Sequence, residues 1–253
     1  NQVSVTDVET LNFSSLGGNT IDATNITGVE EIRTEDSTGA VTVNNLGDGS
    51  VAFGFSGTGT NNIDANYAAG ALSGSADTFA VNLDGASQVT ATTVAGFEAA
   101  SISVTGDNSL SDLTTPGVDT LSIDGAGNLT LLSDLNGLTS LNATDMNGNL
   151  VGGPVGSTGF AGSGVTGASD GSAVLLGSGD DNITFTDNTT TGNTNTARLG
   201  DGNDTLDFTN GGAGDGSFLF GGAGADTIRA NGSALSTNDL VRGDAGSDTL
   251  VLN

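Results

Sequence analysis

Four glycine- and aspartate-rich segments in the last third of the chain recur at a nearly constant interval, and each is followed by a short apolar segment. Their last aspartates are Asp181, Asp204, Asp226 and Asp248, which lie 23, 22 and 22 residues apart. This interval is too regular for scattered loops and too long for a heptad. It therefore predicts stacked coils of one repeating unit.

Weaker copies of the pattern occur upstream, beginning at Val8, Gly28, Gly96, Gly117 and Gly137. Within each period, apolar and polar residues alternate over three to five positions, which is strand spacing rather than helix spacing. Stacked coils pair each strand with its equivalent in the next coil. We therefore predict an all-β fold, a right-handed parallel β-solenoid (β-roll or β-helix) of about 12 coils with a period of about 21 to 22 residues.

The position of the strict motif divides the predicted solenoid into two parts. Residues 1–170 would form degenerate coils, and residues 171–253 would form motif-bearing coils that continue the same solenoid. The pattern thins at residues 153–171, which would be either a linker or, as we favour, a glycine-rich coil with a looser core. The ten phenylalanines stand at strand positions and are expected in the core.

The charge of the chain is extreme, with 30 acidic residues, four arginines and a formal net charge of −26. Nucleic acid and anionic membrane surfaces would repel such a chain, whereas cations would be attracted to it. High acidity with few aromatic residues is also typical of disorder. We therefore expect order to depend on bound metal, because the acids stand at fixed offsets from glycines and aliphatic residues.

The chain contains no cysteine, histidine or lysine. This composition excludes disulfides, thiol nucleophiles, imidazole bases, Schiff-base lysines and the usual zinc sites. The adjacent acids Asp180 and Asp181, like Glu30 and Glu31, would point to opposite faces of a strand and so make poor acid/base pairs. The sequence predicts no enzymatic activity.

The chain has no apolar run long enough to span a bilayer and no signal pattern at its N-terminus. It begins at Asn1 and its last residues follow a strand pattern, so we expect a processed or truncated piece whose secretion signal lies elsewhere.

The four segments resemble the nonapeptide repeat G-G-x-G-x-D-x-U-x, with U apolar, of RTX (repeats-in-toxin) proteins, which binds calcium in a parallel β-roll. Residues 221–229 match every fixed position, whereas Leu176, Leu199 and Asp244 stand where glycines would be in the other copies. The strict resemblance covers residues 176–251. The Gly-Val-Glu-Glu-Ile and Gly-Val-Asp-Thr-Leu segments and the lysine-free composition are most similar to the bacterial surface-layer (S-layer) members of the RTX group.

The resemblance implies Ca²⁺ ions between equivalent turns of neighbouring coils, with up to three ions in one column. Successive aspartates would bridge in pairs, and backbone carbonyls would complete the coordination shells. The implied ligands are Gly177, Gly179, Asp181, Gly200, Asp201, Gly202, Asp204, Gly222, Ala223, Gly224, Asp226, Ala245, Gly246 and Asp248.

Two alternatives concern the same residue types. Plain turn chemistry also places Gly, Asn and Asp in loops, and we favour it over a second ion column for the residues recurring on the return side, Asp170, Asn193, Asp215 and Asp239. The Asp-Thr pairs predict a threonine file, which strand propensity explains better than ice binding.

The function that the resemblance implies is that of a calcium-dependent structural protein of the bacterial cell surface, a surface-layer or filament subunit. Such a protein would be secreted, would fold and self-assemble with Ca²⁺, and would have other copies of itself as partners. A cell-surface polysaccharide anchor could lie outside this segment, and neither nucleic acid binding nor membrane insertion is expected. The alternative is a passive calcium-folding module of a larger secreted enzyme, toxin or adhesin; a ligand-binding adhesin repeat is a third reading, without an evident pocket.

Overall fold

The chain is an all-β parallel β-solenoid of about nine turns. The computed structural model describes residues 4–14, 18–93, 95–132, 138–152, 160–162, 173–187, 194–210, 216–231 and 235–253. Within these ranges the only helical element is a 3-10 turn at Ala23–Asn25, and no helix is long and apolar enough to cross a membrane. The contacts within the chain divide it into two compact units, Asn1–Val118 and Asp119–Asn253.

The first unit contains two parallel sheets and one short parallel strand pair. Strands β2, β5, β7, β9 and β11 form one sheet in that order, strands β3, β6, β8, β10 and β12 form the other, and β1 pairs with β4. The strands are β1 (Val5–Thr6), β2 (Thr10–Phe13), β3 (Asn19–Asp22), β4 (Ile26–Thr27), β5 (Glu31–Glu35), β6 (Ala40–Leu46), β7 (Ala52–Ser56), β8 (Asn62–Tyr67), β9 (Thr78–Asp84), β10 (Val89–Thr93), β11 (Ala99–Thr105) and β12 (Asp107–Thr114).

The second unit repeats this arrangement. Strands β13, β15, β18, β20, β22 and β24 form one sheet, strands β14, β16, β19, β21, β23 and β25 form the other, and β17 also pairs with β19. The strands are β13 (Thr120–Gly125), β14 (Asn128–Leu131), β15 (Ser140–Met146), β16 (Leu150–Gly152), β17 (Phe160–Gly162), β18 (Ala173–Leu175), β19 (Asn182–Asp187), β20 (Thr194–Asp201), β21 (Thr205–Asn210), β22 (Gly216–Gly224), β23 (Thr227–Ala230), β24 (Leu240–Gly246) and β25 (Thr249–Leu252).

The length of one coil is less uniform than the sequence pattern predicts. Many hydrogen bonds between successive coils join residues 20 to 23 positions apart. Two steps are longer, because Phe53 pairs with Val81 and Ser140 pairs with Ala173. In the first of these, a loop of small and polar residues separates β8 from β9. The expectation of about 12 coils is therefore too high, since these residues extend existing turns instead of adding new ones.

The predicted domain boundary at residue 170 was placed where the motif begins, whereas the contacts within the chain divide it after Val118. It stays a prediction, because residues 163–172 lie outside the described part of the chain. Most of the glycine-rich stretch at 153–171 also lies outside the described residues. Its described strand β17 pairs in register with β19, where Phe160 is the partner of Phe185.

Stacked aromatic rings fill much of the core. In the first unit the ring of Phe79 lies 5.3 Å from that of Phe53 and 5.4 Å from that of Phe97. In the second unit Phe185 lies 5.7 Å from Phe208. All five side chains are buried. Phe185 and Phe208 are partners in the sheet register, whereas Phe53 pairs with Val81 and Phe79 with Ala100, so the rings of the first unit meet across the core and not by register. All of these rings lie at the spacing that aromatic pairs favour.

The expectation that all ten phenylalanines face the core is wrong for β22. There the buried residue is Leu219, so its neighbours Phe218 and Phe220 point outwards, and Phe218 is 37% exposed. Successive side chains of a strand alternate between its faces, so burying Leu219 excludes both phenylalanines from the core. The guanidinium of Arg198 lies 4.3 Å from the centre of the Phe220 ring, which gives this aromatic a cationic partner on the surface.

Replacing Phe79 by alanine should destabilise the first unit by about 3 to 5 kcal/mol, because it removes a ring that contacts two others and leaves a cavity. Urea denaturation followed by circular dichroism measures this change. The matched control is Phe218→Ala, which should cost below about 1 kcal/mol because the ring is partly in solvent. Equal losses for the two variants would contradict the proposed role of the stacked rings.

Candidate metal centre

The four predicted segments form equivalent turns, and each turn joins a strand of one sheet to a strand of the other sheet in the second unit. The turns are superimposed along the solenoid. Gly200 pairs with Gly222, and Gly222 pairs with Asp244 in the next coil. The predicted stacking of the segments is therefore present in the described residues.

The last aspartates of the turns form a file linked by hydrogen bonds. The backbone N–H of Asp181 donates to Oδ1 of Asp204 at 2.8 Å. In the same way the N–H of Asp204 donates to Asp226 at 3.0 Å, and the N–H of Asp226 donates to Asp248 at 3.1 Å. Each carboxylate therefore points towards the preceding coil and caps the equivalent residue there.

The second carboxylate oxygen is left without a hydrogen-bond donor in two members of this file. Oδ2 of Asp204 and Oδ2 of Asp226 are both buried, and both residues are only 1% exposed. A buried polar atom without a partner costs about 1 to 3 kcal/mol, and a charged one costs more. These two oxygens are therefore the strongest structural sign that a further group belongs in the turns.

Glycines bring the turns close together. Gly202, with φ of +147°, lies where a Cβ atom would collide with the carbonyl oxygen of Gly179 in the preceding coil, and Gly224 stands in the same relation to Gly202. Only glycine combines this backbone conformation with such a close approach. The glycine carbonyls consequently face along the file, next to the aspartates.

Burial makes the file hard to ionise. It raises the pKa of Asp181 to about 6 although the N–H of Leu150 donates to the carboxylate, and the charge of Asp180 adds to the increase. Burial also raises the pKa of Asp204 to about 7, with further contributions from the charges of Asp181 and Asp226. The pKa of Asp226 is raised by burial and by the charge of Asp248. The file favours either protons or a bound cation.

The file begins where the sequence changes from apolar to acidic. In the coil before Asp181 the equivalent residue is Leu150, whose N–H donates to Asp181 at 2.6 Å. Beside it runs a second file, in which Asn149 caps the N–H of Asp180, and Asp180 caps the N–H of Asn203. Sequence analysis missed the equivalence of Leu150 with Asp181 and of Asn149 with Asp180, because this step is 31 residues instead of about 22.

The oxygen atoms in the turns are of the kinds that bind calcium. They are carboxylate and backbone carbonyl oxygens, which are the ligands that this cation takes. Asp204 and Asp226 would contribute their unpaired oxygens, and the glycine carbonyls would contribute the rest. The described residues contain no cluster of three or more Asp and Glu side chains suited to a metal. A site here would therefore depend on main-chain oxygens, as the resemblance implies.

The other implied ligands differ in their hydrogen bonds and in their exposure to solvent. The carbonyls of Gly177, Asp201 and Ala223 accept backbone N–H groups at 2.9, 2.8 and 2.7 Å, so each would offer a metal only its other lone pair. Asp248, Ala245 and Gly246 lie in the last turn and are exposed, because no described coil covers them. The predicted file Thr205, Thr227 and Thr249 is also in register, on the strands that follow the turns.

The return side of the coils shows turn chemistry at the one position that is described. Both carboxylate oxygens of Asp239 accept backbone N–H groups, from Ser217 at 2.6 Å and from Ser236. No oxygen is left unpaired there, unlike in Asp204 and Asp226. Asp170, Asn193 and Asp215 lie outside the described residues.

No protein-family model, curated protein or solved structure matches this chain. The likeness to RTX proteins therefore remains a resemblance of short motifs.

In the presence of a chelator, stability should fall as pH rises from about 4 to 7. Over this range the folded chain holds protons on Asp181 and Asp204 that the unfolded chain, with ordinary carboxyl pKa values, has released. The loss should be on the order of a few kcal/mol and complete above about pH 7. Thermal unfolding at several pH values measures it.

The variant Asp204→Asn should have a shallower pH dependence in chelator, because its side chain cannot ionise. The control Asp207→Asn alters a partly exposed carboxylate that pairs with Arg229 on the outer surface, and it should keep the wild-type slope. A wild-type protein whose stability rises with pH over this range would contradict the burial of the file.

Proposed function

We propose that this protein is a calcium-dependent structural protein of the bacterial cell surface, and that Ca²⁺ bound between successive turns completes the fold of the second unit. The observation that carries the proposal is the pair of buried, unpaired carboxylate oxygens on Asp204 and Asp226. When bound, the cation supplies positive charge to oxygens that have no donor. The chain itself supplies the spacing, since the register of the sheets fixes one carboxylate per coil.

The structural role is proposed on the architecture and the charge together. The solenoid is not confined to the motif-bearing coils, because the first unit is also built from two parallel sheets, and its described residues contain no file of aspartates like that of the second unit. Two molecules of net charge −26 repel each other. Divalent cations would remove that repulsion and bridge carboxylates of neighbouring copies, so we propose self-assembly into a sheet or filament that requires calcium. Secretion to the cell surface belongs to the same proposal, which assigns no catalytic role to any residue.

A passive calcium-folding module of a larger secreted protein would need the same file of aspartates. The two functions differ in what happens after folding. The module would remain a monomer at every calcium concentration, whereas the surface protein would associate.

Calcium at about millimolar concentration should increase the β-structure of the full chain measured by circular dichroism, relative to chelator. The variant Asp204→Ala should shift the midpoint of this change to about tenfold higher calcium, because it removes a carboxylate that two coils share. Asp207→Ala serves as the matched control and should shift the midpoint less than about twofold. Identical spectra in calcium and in chelator would refute the calcium-dependent fold.

Assembly is tested separately. Analytical ultracentrifugation and negative-stain electron microscopy of the wild-type protein in calcium should show large ordered particles, and chelator should disperse them. A folded monomer at all calcium concentrations would support the module instead. Magnesium at the same concentration is the ionic control, because its smaller size and strict octahedral geometry suit these turns poorly.

A further inference from the structure

The first unit contains a near copy of the motif turn. Residues 57–63 read Gly-Thr-Gly-Thr-Asn-Asn-Ile, and residues 177–183 read Gly-Ser-Gly-Asp-Asp-Asn-Ile. The turn at 57–61 leads from β7 to β8, and thus from one sheet to the other, as the motif turns do. At the position of the buried aspartate stands Asn61, which is itself 0% exposed.

The side-chain oxygen of Asn61, like Oδ1 of the aspartates, accepts a backbone N–H from the turn of the preceding coil. It accepts the backbone N–H of Ser37 at 3.2 Å, two residues before the register equivalent of Asn61, whereas Oδ1 of Asp204 accepts the N–H of its own register equivalent, Asp181. The backbone carbonyl of Asn61 accepts the N–H of Thr90 in the following coil, an arrangement that Asp181 repeats with Thr205. The two kinds of turn therefore share a side-chain cap to the preceding coil and a backbone hydrogen bond to the following coil, and Nδ2 of Asn61 takes the place of the second carboxylate oxygen, Oδ2, of an aspartate.

The amide nitrogen of Asn61 holds the turn together from inside. It lies 3.2 Å from the carbonyl oxygen of Ser56, 3.5 Å from that of Gly57 and 3.4 Å from that of Gly59. These residues stand five, four and two positions before Asn61. A partly positive nitrogen thus lies among three carbonyl oxygens.

In the motif turns an oxygen replaces this nitrogen. The residue five positions before Asp226 is Gly221, and Oδ2 of Asp226 is the first atom that a Cβ at Gly221 would meet. This is the same oxygen that is buried without a donor. A carboxylate oxygen cannot donate to carbonyls, so the centre of the turn lacks the positive partner that Asn61 provides.

A second asparagine repeats the arrangement in a shorter turn of the first unit. Nδ2 of Asn108 donates to the carbonyls of Thr105 at 3.1 Å and Gly106 at 3.0 Å. Its Oδ1 accepts the N–H of Ala86 in the preceding coil at 2.9 Å. Asn108 is also buried.

We propose that the amide nitrogen of Asn61 stands in for a bound cation, so that the first unit folds without calcium and the calcium requirement is confined to the second unit. This inference rests on the calcium dependence proposed above. One atom then decides the type of turn: asparagine makes it independent of metal, and aspartate makes it a cation site. Asn61→Asp should therefore create a calcium site, with a second carboxylate nearby from Asp36, which accepts the N–H of Thr58 at 3.0 Å.

The test is hydrogen exchange measured by mass spectrometry on the full chain, in chelator and in millimolar calcium. In the wild-type protein, peptides covering residues 57–63 should be protected under both conditions, whereas peptides covering 204–210 should be protected only in calcium. In Asn61→Asp, exchange at 57–63 should become about tenfold faster or more in chelator, because the carbonyls lose their donor. Calcium should restore the protection.

The matched control is Asn61→Ala, which also loses the donor but supplies no ligand. Its protection should fall in chelator, and calcium should not restore it. The reverse variant Asp204→Asn should gain protection at 204–210 in chelator. This variant keeps the inference testable if Asn61→Asp does not fold, since it introduces the donor instead of removing it.

The outcomes separate the two proposals. If the second unit responds to calcium but calcium does not restore Asn61→Asp beyond Asn61→Ala, the inference about Asn61 is overturned and the proposed function stands. If Asp204→Asn shows no increase in hydrogen-exchange protection at 204–210 in chelator, the inference about Asn61 is also contradicted. If peptides 204–210 are equally protected in calcium and in chelator, the proposed calcium dependence itself fails.

Discussion

The constraint on which the second unit depends is the burial of one carboxylate per coil in register with the next. Parallel pairing of the strands leaves the aspartates no freedom to spread apart, because each one caps the backbone of the coil before it. The hydrogen bond to Oδ1 fixes the side chain, and burial then isolates Oδ2 from water. A structure of this kind needs a proton or a cation at each step, and the raised pKa values of Asp181 and Asp204 express the same need.

The same turn is built in two ways within one chain. Where the buried residue is an asparagine, the side chain satisfies both the preceding coil and the carbonyls of its own turn. Where it is an aspartate, it satisfies only the preceding coil. Replacing a nitrogen by an oxygen thus separates a turn whose buried side-chain atoms are hydrogen-bonded from a turn that holds a buried oxygen without a donor.

Much of the fold follows from periodicity. The alternation of apolar and polar residues identified strands, and the constant interval identified stacked parallel coils, which the structure confirms. The number of coils was overestimated because a period measured on the regular coils was applied to the whole chain. A loop such as the one between Tyr67 and Thr78 leaves no periodic signal of its own. The outward-facing Phe218 and Phe220 were misjudged because β22 has large apolar side chains on both faces, and only packing decided that the face with Leu219 is the buried one.

The sequence by itself determined which aspartates would be aligned, since Asp181, Asp204, Asp226 and Asp248 stand at a near-constant interval and strands in register preserve intervals. It could not determine which oxygen of each carboxylate would be free, nor that Asn61 occupies the same position with a nitrogen. Those facts depend on the direction of the side chain between two coils and on which backbone groups converge there. Such directions are set by the stacking of residues far apart in the chain, and for that reason only the tertiary structure decided them.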